Sequence, residues 1–170
     1  WIRCRRKAWL DSFGDRSQRK WKAHHTLQLD HQLKSFAALI PVPLAKGIEG
    51  CSAGNSGVAG IKLKNRISLG YLISAHPPLL QKVSGESLWG DFAYRPVLAR
   101  HGKRTTRELR QTLALLGILL EPLQHAHVPN GITVSKTNQG LEIEKISLNE
   151  GLKKQLNISL LKLSEDLNLN

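Results

Sequence analysis

The order of two hydrophobic patterns along the chain is the feature that most constrains its fold. After a candidate N-cap at Thr105 or Thr106, leucines recur at helical spacing as far as about Leu120. Short apolar segments predict strands on both sides of this helix, over residues 58–63, 67–74, 92–99, 132–135 and 141–146. A helix between two groups of strands is typical of a mixed α/β domain.

Helices are predicted at both ends of the chain. Apolar spacing indicates helices over residues 2–13 and 21–40, and Pro41 ends the second of them. A terminal helix over 149–166 carries a leucine stripe that either covers the sheet or docks a partner: Leu152, Leu156, Leu160 and Leu163. The glycines between Gly47 and Gly60 predict a flexible loop, since no Gly-Lys-Ser/Thr follows them as in a phosphate-binding loop.

The length of 170 residues and the hydrophobic content of 41% predict a single folded domain. Its expected parts are N-terminal helices (1–40), a flexible loop (41–57), a sheet core with a helix (58–135), and a hairpin strand with the terminal helix (136–170). No apolar run approaches the roughly twenty residues of a membrane span. Aromatic residues make up 5% of the chain, which argues against an aromatic platform for single-stranded nucleic acid.

Two cysteines, Cys4 and Cys51, are too few for a four-thiolate zinc site or an iron–sulfur cluster. They fit a reducing compartment. The sequence contains no methionine and begins at Trp1 inside a predicted helix, so we expect an N-terminal piece to precede it.

The net charge of +12 is concentrated in two stretches. Residues 1–24 hold eight basic and two acidic side chains, and residues 95–110 hold six basic and one acidic. Clustered cations suit a phosphate-binding surface, because neutralised phosphates release counterions. A solvated basic face and a contact with an acidic protein remain the alternatives.

Two stretches carry more specific patterns. The first runs Cys4-Arg-Arg-Lys-Ala-Trp-Leu-Asp11 and continues with Phe13-Gly-Asp15. The second contains Pro77-Pro-Leu-Leu80, a turn at Gly85-Glu-Ser87, Tyr94-Arg-Pro-Val97 and Gly102-Lys-Arg104. Over roughly residues 3–135, these stretches resemble the RecB-like nucleases of the PD-(D/E)XK superfamily. The resemblance implies a restriction-endonuclease-like fold, in which helices flank a mixed sheet.

In that family, a histidine, an aspartate and the acid of an acid-x-Lys pattern hold a divalent metal. By the resemblance, His31 matches the histidine, Pro78 the aspartate, Leu98 the acid and Arg100 the lysine. Proline and leucine offer no side-chain oxygen to a hard cation, and arginine is permanently charged. We therefore expect no catalytic residue, no metal site and no cofactor.

The alternative is an active exonuclease that uses magnesium or manganese. Glu86 and Asp91 lie in the turn between the two core strands and could replace the lost acids. His24 and His25 are neighbours in a helix and point about 100° apart, so they make a poor chelating pair. The remaining histidines are expected in surface loops: His76, His101, His125 and His127.

The favoured interpretation is a catalytically inactive nuclease-fold protein that binds nucleic acid or serves as a scaffold subunit of a larger assembly. The residues expected to contact phosphates are the cations of the two basic stretches: Arg5, Arg6, Lys7, Arg100, Lys103, Arg104 and Arg107. A purely structural subunit in contact with other proteins is the third interpretation. The resemblance is closest to bacterial proteins, so a bacterial cytoplasm or a plastid stroma is expected.

Overall fold

A computed structural model describes residues 23–40, 43–66 and 72–168, and before them Arg6, Trp9, Leu10, residues 13–15 and Ser17. The helices are α1 (Ala23–Leu39), α2 (Gly47–Ser52), α3 (Arg107–Gln124) and α4 (Glu150–Asn168). The strands are β1 (Ala45–Lys46), β2 (Gly57–Ala59), β3 (Leu63–Arg66), β4 (Leu72–Ala75), β5 (Leu79–Ser87), β6 (Gly90–Ala99), β7 (Asn130–Thr137) and β8 (Gly140–Ser147).

Six of these strands form a mixed sheet in the order β1-β2-β5-β6-β7-β8, and β3 pairs with β4 in a separate ribbon. Strands β5 and β6 form an antiparallel hairpin, as do β7 and β8. Strands β6 and β7 are parallel, and α3 makes the connection between them. The predicted α/β class is confirmed: helices flank a mixed sheet in a restriction-endonuclease-like layout.

The N-cap and leucine spacing correctly predicted the start of the central helix, α3. Thr106 is the N-cap of α3, and its side chain accepts a hydrogen bond from the Leu109 amide. The helix continues past the predicted end to Gln124 and includes Pro122. His125 then closes it in the left-handed conformation, with φ of 51°.

Three predicted segments need correction, and a fourth is described only in part. The stretch from 47 to 60 contains α2 and β2 rather than one flexible loop. Residues 58–63 divide between β2 and β3, and of the strand predicted at 67–74 only residues from Leu72 onward are described. The predicted turn at Gly85-Glu-Ser87 lies within β5, and the chain reverses at Leu88 and Trp89 instead.

Each face of the large sheet has its own core. Helices α3 and α4 cover one face, where Leu80, Tyr94 and Leu98 join the larger hydrophobic cluster. Helix α1 covers part of the other face, where Phe36 and Ile40 pack in a smaller cluster with Leu79, Val97, Ile132 and Val134. Burial of apolar area at about 25 cal/mol per Å² makes these two layers the main stabilising element.

The leucine stripe of α4 contributes to the first core. Leu156 and Leu160 are buried there, and Leu152 packs against the same cluster. The buried part of the stripe therefore packs against α3 and into the α3-side core, and docking of a partner by this helix stays a prediction. None of the helices within the described residues is long and apolar enough to cross a membrane.

Candidate nucleic-acid interface at the carboxyl end of the parallel strands

The parallel strands β6 and β7 bring several polar residues to one edge of the sheet. In open α/β sheets, ligands bind beyond the carboxyl ends of parallel strands. Arg100 directly follows β6, and its amide donates to the Val134 carbonyl oxygen of β7 at 2.8 Å. From α1, His31 Nε2 donates to the Arg100 carbonyl oxygen at 3.0 Å and lies 3.5 Å from Ser135 Oγ.

Arg100 is buried at this edge, with 4% of its surface exposed. Its Nη2 binds Glu142 Oε2 at 2.8 Å, and its Nη1 donates to the Gly102 carbonyl oxygen. Its Nε is buried without a partner among the described residues. The structure thus places the Arg100 guanidinium inside the protein and paired with a carboxylate, unlike the exposed position that a phosphate contact was expected to have.

The residues at the metal-binding positions of the resembled family lie around Arg100. Leu79 pairs with Val97 in the antiparallel β5–β6 ladder, so Pro78 lies beside Leu98. Leu98 is 7% exposed and belongs to the α3-side core. Within the described part of the chain, no three histidine, cysteine or acidic residues are grouped so that they could hold a metal ion.

Glu86 and Asp91 do not lie near this edge. Ser84 pairs with Phe92 and Ser87 with Gly90, so both acids belong to the closed end of the β5–β6 hairpin. Asp91 precedes Leu98 by seven strand residues, about 23 Å at 3.3 Å per residue. The structure therefore separates both acids from positions 78 and 98, which they were expected to supplement.

His31 and His101 form a pair beside Arg100. Their ring centroids are 4.5 Å apart, and the ring planes are tilted by 40°. Partial burial, and then the nearby His31 charge, lower the pKa of His101. The neutral form of His101 is therefore favoured where the loop after β6 meets α1.

A second polar group fixes the start of α3 to β8. Thr105 Oγ1 lies 2.6 Å from both Glu144 Oε2 and Thr133 Oγ1, and Arg110 Nη2 binds Glu144 Oε1 at 2.9 Å. The hydrogen bond from the Thr105 side chain is the main reason that the pKa of Glu144 is lowered, while partial burial opposes it. The Thr105 amide and the charges of Arg110 and Arg100 lower it further.

The loop between β6 and α3, together with the first residue of α3, presents unneutralised cations, which we call the basic loop: Lys103, Arg104 and Arg107. All three are exposed, and none forms an ion pair with a residue that the structure describes. In the N-terminal stretch, Arg6 is helical and exposed. Arg5 and Lys7, the other two cations predicted there, lie outside the described residues.

The other candidate residues are spread over the molecule. Cys51 is buried, which raises the pKa of its thiol to about 12, and Cys4 lies outside the described residues. His127 Nδ1 lies 2.7 Å from Glu121 Oε1, at the opposite end of α3 from the basic loop. The side chains of His24 and His25 are outside the described residues.

Sequence reasoning missed Glu142 and Glu144. Their spacing of two residues in a predicted strand could have shown that both side chains share one face. Their partners could not be found in this way, because the Arg100–Glu142 contact joins positions 42 residues apart through the register of β7 and β8.

Comparison with known proteins gave no assignment. No family model matches the chain, and no curated protein and no solved structure matches it significantly.

Proposed function

We propose that this chain is a catalytically inactive nuclease-fold protein that binds the phosphate backbone of nucleic acid without cleaving it. The observation that carries this proposal is the basic loop. It places three exposed cations without ion-pair partners among the described residues directly after the carboxyl end of β6.

The local charge balance supports phosphate contact at the basic loop. Two neighbouring arginines are already neutralised, since Arg100 is paired with Glu142 and Arg110 with Glu144. Among the described residues, Lys103, Arg104 and Arg107 stay exposed and without such a carboxylate partner. Each phosphate that such a cation neutralises releases a counterion, which favours binding at low salt.

The positions around Arg100 support binding without hydrolysis. Metal-assisted hydrolysis requires oxygen ligands that place a cation against the phosphate and lower the pKa of bound water. Pro78 and Leu98 carry no side-chain oxygen, and the carboxylate of Glu142, which reaches this edge, is engaged by Arg100. Arg100 itself cannot act as a base, because its guanidinium stays protonated.

Fluorescence anisotropy with a labelled DNA duplex over a series of salt concentrations tests this proposal. We expect binding that weakens steeply with salt and no cleavage of the duplex when magnesium or manganese is added. The variant Lys103→Ala/Arg104→Ala/Arg107→Ala removes three contacts and should lower the slope of log K against log salt by about 2–3.

A charge-matched control separates this loop from the overall charge. Lys62→Ala/Lys64→Ala/Lys154→Ala removes the same charge from exposed positions on other elements and should change the slope little. An equal decrease of the slope in the two variants would show that net charge, rather than the basic loop, accounts for the binding. Cleavage by the wild type that depends on added metal would contradict the proposal.

The exposed leucines of α1 favour a second candidate function, that of a scaffold subunit. Leu29 and Leu33 lie four residues apart, on one face of α1, and are 48% and 55% exposed. Neighbouring exposed apolar side chains on a helix often mark an interface. If they form one between copies of this chain, sedimentation velocity will show self-association that Leu29→Ser/Leu33→Ser abolishes.

A further inference from the structure

A cavity of about 500 Å³ lies at the opposite end of β6 from the basic loop. Strands β5 and β6 form one wall, and residues 126–130 between α3 and β7 form the other. Arg95 and Lys145 line it together with a single acid, Glu86. Its volume is within the range of sites for small molecules, about 300–1,000 Å³.

Arg95 is fixed in this cavity by neutral amides on both sides. Its Nε and Nη2 donate to Gln81 Oε1 at 3.1 and 2.8 Å, and its Nη1 donates to Asn130 Oδ1 at 3.0 Å. The three residues lie side by side on β5, β6 and β7, so the sheet itself holds the guanidinium in place. A guanidinium has five N–H donors, and three of them are used here.

No carboxylate neutralises Arg95 among the described residues. Its partners Gln81 and Asn130 are uncharged, and partial burial lowers its pKa, which shows that its charge is held at a desolvation cost. Lys145 is exposed and also makes no described ion pair. Glu86 is the only acid in the lining, so Arg95 and Lys145 leave an excess of +1 when His127, which also lines the cavity and is paired with Glu121, is counted as neutral.

The floor of the cavity is apolar. Val83 and Ala93 pair with each other across β5 and β6 and line it beside Arg95. A ligand that fits would therefore have one negatively charged group for the two free donors of Arg95 and for Lys145. Its uncharged body would lie against the two apolar side chains.

We propose that this cavity is a binding site for a small molecule with one oxyanion group, a carboxylate or a phosphate. Arg95 is the primary anchor, because bidentate donation by a preorganised guanidinium suits both groups. Lys145 adds a second, more mobile charge. The site is independent of the proposed nucleic-acid function, since Arg95 precedes Arg100 by five strand residues, about 16 Å.

NMR titration of the isotope-labelled full chain tests the site, with inorganic phosphate and benzoate as separate probes in low-salt buffer. We expect saturable shifts in the backbone amides of residues 83–86 and 126–130. Arg95→Met should weaken binding by roughly tenfold to a hundredfold, since charge-assisted hydrogen bonds are lost. Lys145→Met should weaken it severalfold, and Lys154→Met on α4 should leave it unchanged.

The two probes distinguish the sources of the oxyanion. Tighter benzoate binding would identify a carboxylate ligand with an apolar body, and tighter phosphate binding a phosphate ester. The proposal is overturned if neither probe binds, if the shifts map to residues 101–107, or if both variants keep wild-type affinity. If Arg95→Met fails to fold, Lys145→Met tests the proposal alone: severalfold weaker binding supports it, and wild-type affinity overturns it.

Discussion

Two arginines, one on β6 and one directly after it, have opposite environments. Arg100, which follows the carboxyl end of β6, is buried and bound to a carboxylate, and it also donates to the carbonyl oxygen of Gly102. Arg95, within β6, is held by two neutral amides and keeps two donors free of described partners. One charge is used within the protein, and the other remains available to a ligand.

This difference shows why a basic composition alone does not locate a binding surface. The stretch 95–110 contains six cations, and two of them, Arg100 and Arg110, are neutralised by β8. The exposed cations that remain are in the basic loop. The partner of each cation, rather than its presence in the sequence, decides its role.

We expect the largest difference between the two arginines when the main hydrogen-bond acceptor of each is removed. Glu142→Ala leaves a buried guanidinium without its counter-charge, and we expect a loss of about 3 kcal/mol in the free energy of unfolding. This loss is at the lower end of the range for breaking a buried ion pair, because the Glu142 side chain is 42% exposed. Gln81→Ala removes a neutral acceptor and should cost less than about 1 kcal/mol.

Urea unfolding of both variants measures this difference, and Arg100→Met/Glu142→Ala should regain part of the loss. Equal destabilisation by Glu142→Ala and Gln81→Ala would show that the two arginines are held alike.

Thr105→Val should have a smaller effect at the same edge. The variant loses the bonds to Glu144 and Thr133, and we expect a loss of about 1 kcal/mol at neutral pH. The pKa of Glu144 is lowered in the folded state, so its contribution is present above the pKa of the unfolded chain. That contribution is lost as the pH falls through the folded value.

The difference between wild type and Thr105→Val in urea unfolding should therefore shrink in acid. Thr112→Val is the matched control, because the Thr112 hydroxyl only bonds the carbonyl oxygen of Glu108 within its own helix. A loss as large in the control would assign the effect to the helix rather than to Glu144.

The smallest expected effect is a pH dependence from His101. Because the pKa of His101 is lowered in the folded protein, the unfolded chain binds more protons, so stability rises with pH. The stability gained from a neutral His101 is complete above pH 6.5, its ordinary pKa. It is lost as the pH falls below 6.5 toward the lowered pKa of the folded protein. His101→Gln should flatten this part of the profile in urea unfolding, and an unchanged profile would contradict the prediction.

Elements with local signals could be predicted from the sequence. The capped start of α3 and the turn between β7 and β8 depend on residues within a few positions of each other. The glycine-rich stretch misled the prediction, because Gly50 serves close packing rather than flexibility. A Cβ there would lie 2.9 Å from the Ala45 Cβ and 3.1 Å from the Val58 Cγ1.

The candidate sites depended on contacts that no local pattern contains. The burial of Arg100 required the position of Glu142 two strands away. The Arg95 cavity was missed for the same reason. Gln81 and Asn130 become its neighbours only after the sheet is assembled.

Because β6 and β7 are parallel, no tight turn can pair them, and the chain must first complete the crossover through α3. Contacts between residues distant in sequence form slowly in folding, since loop-closure entropy opposes them. The basic loop is the first part of that crossover, and the Arg95–Asn130 contact spans its whole length. A nascent chain stopped before β7 would therefore carry Arg95 and the basic loop but would lack both Asn130 and Lys145, so the cavity could not form until the crossover and the last hairpin were complete.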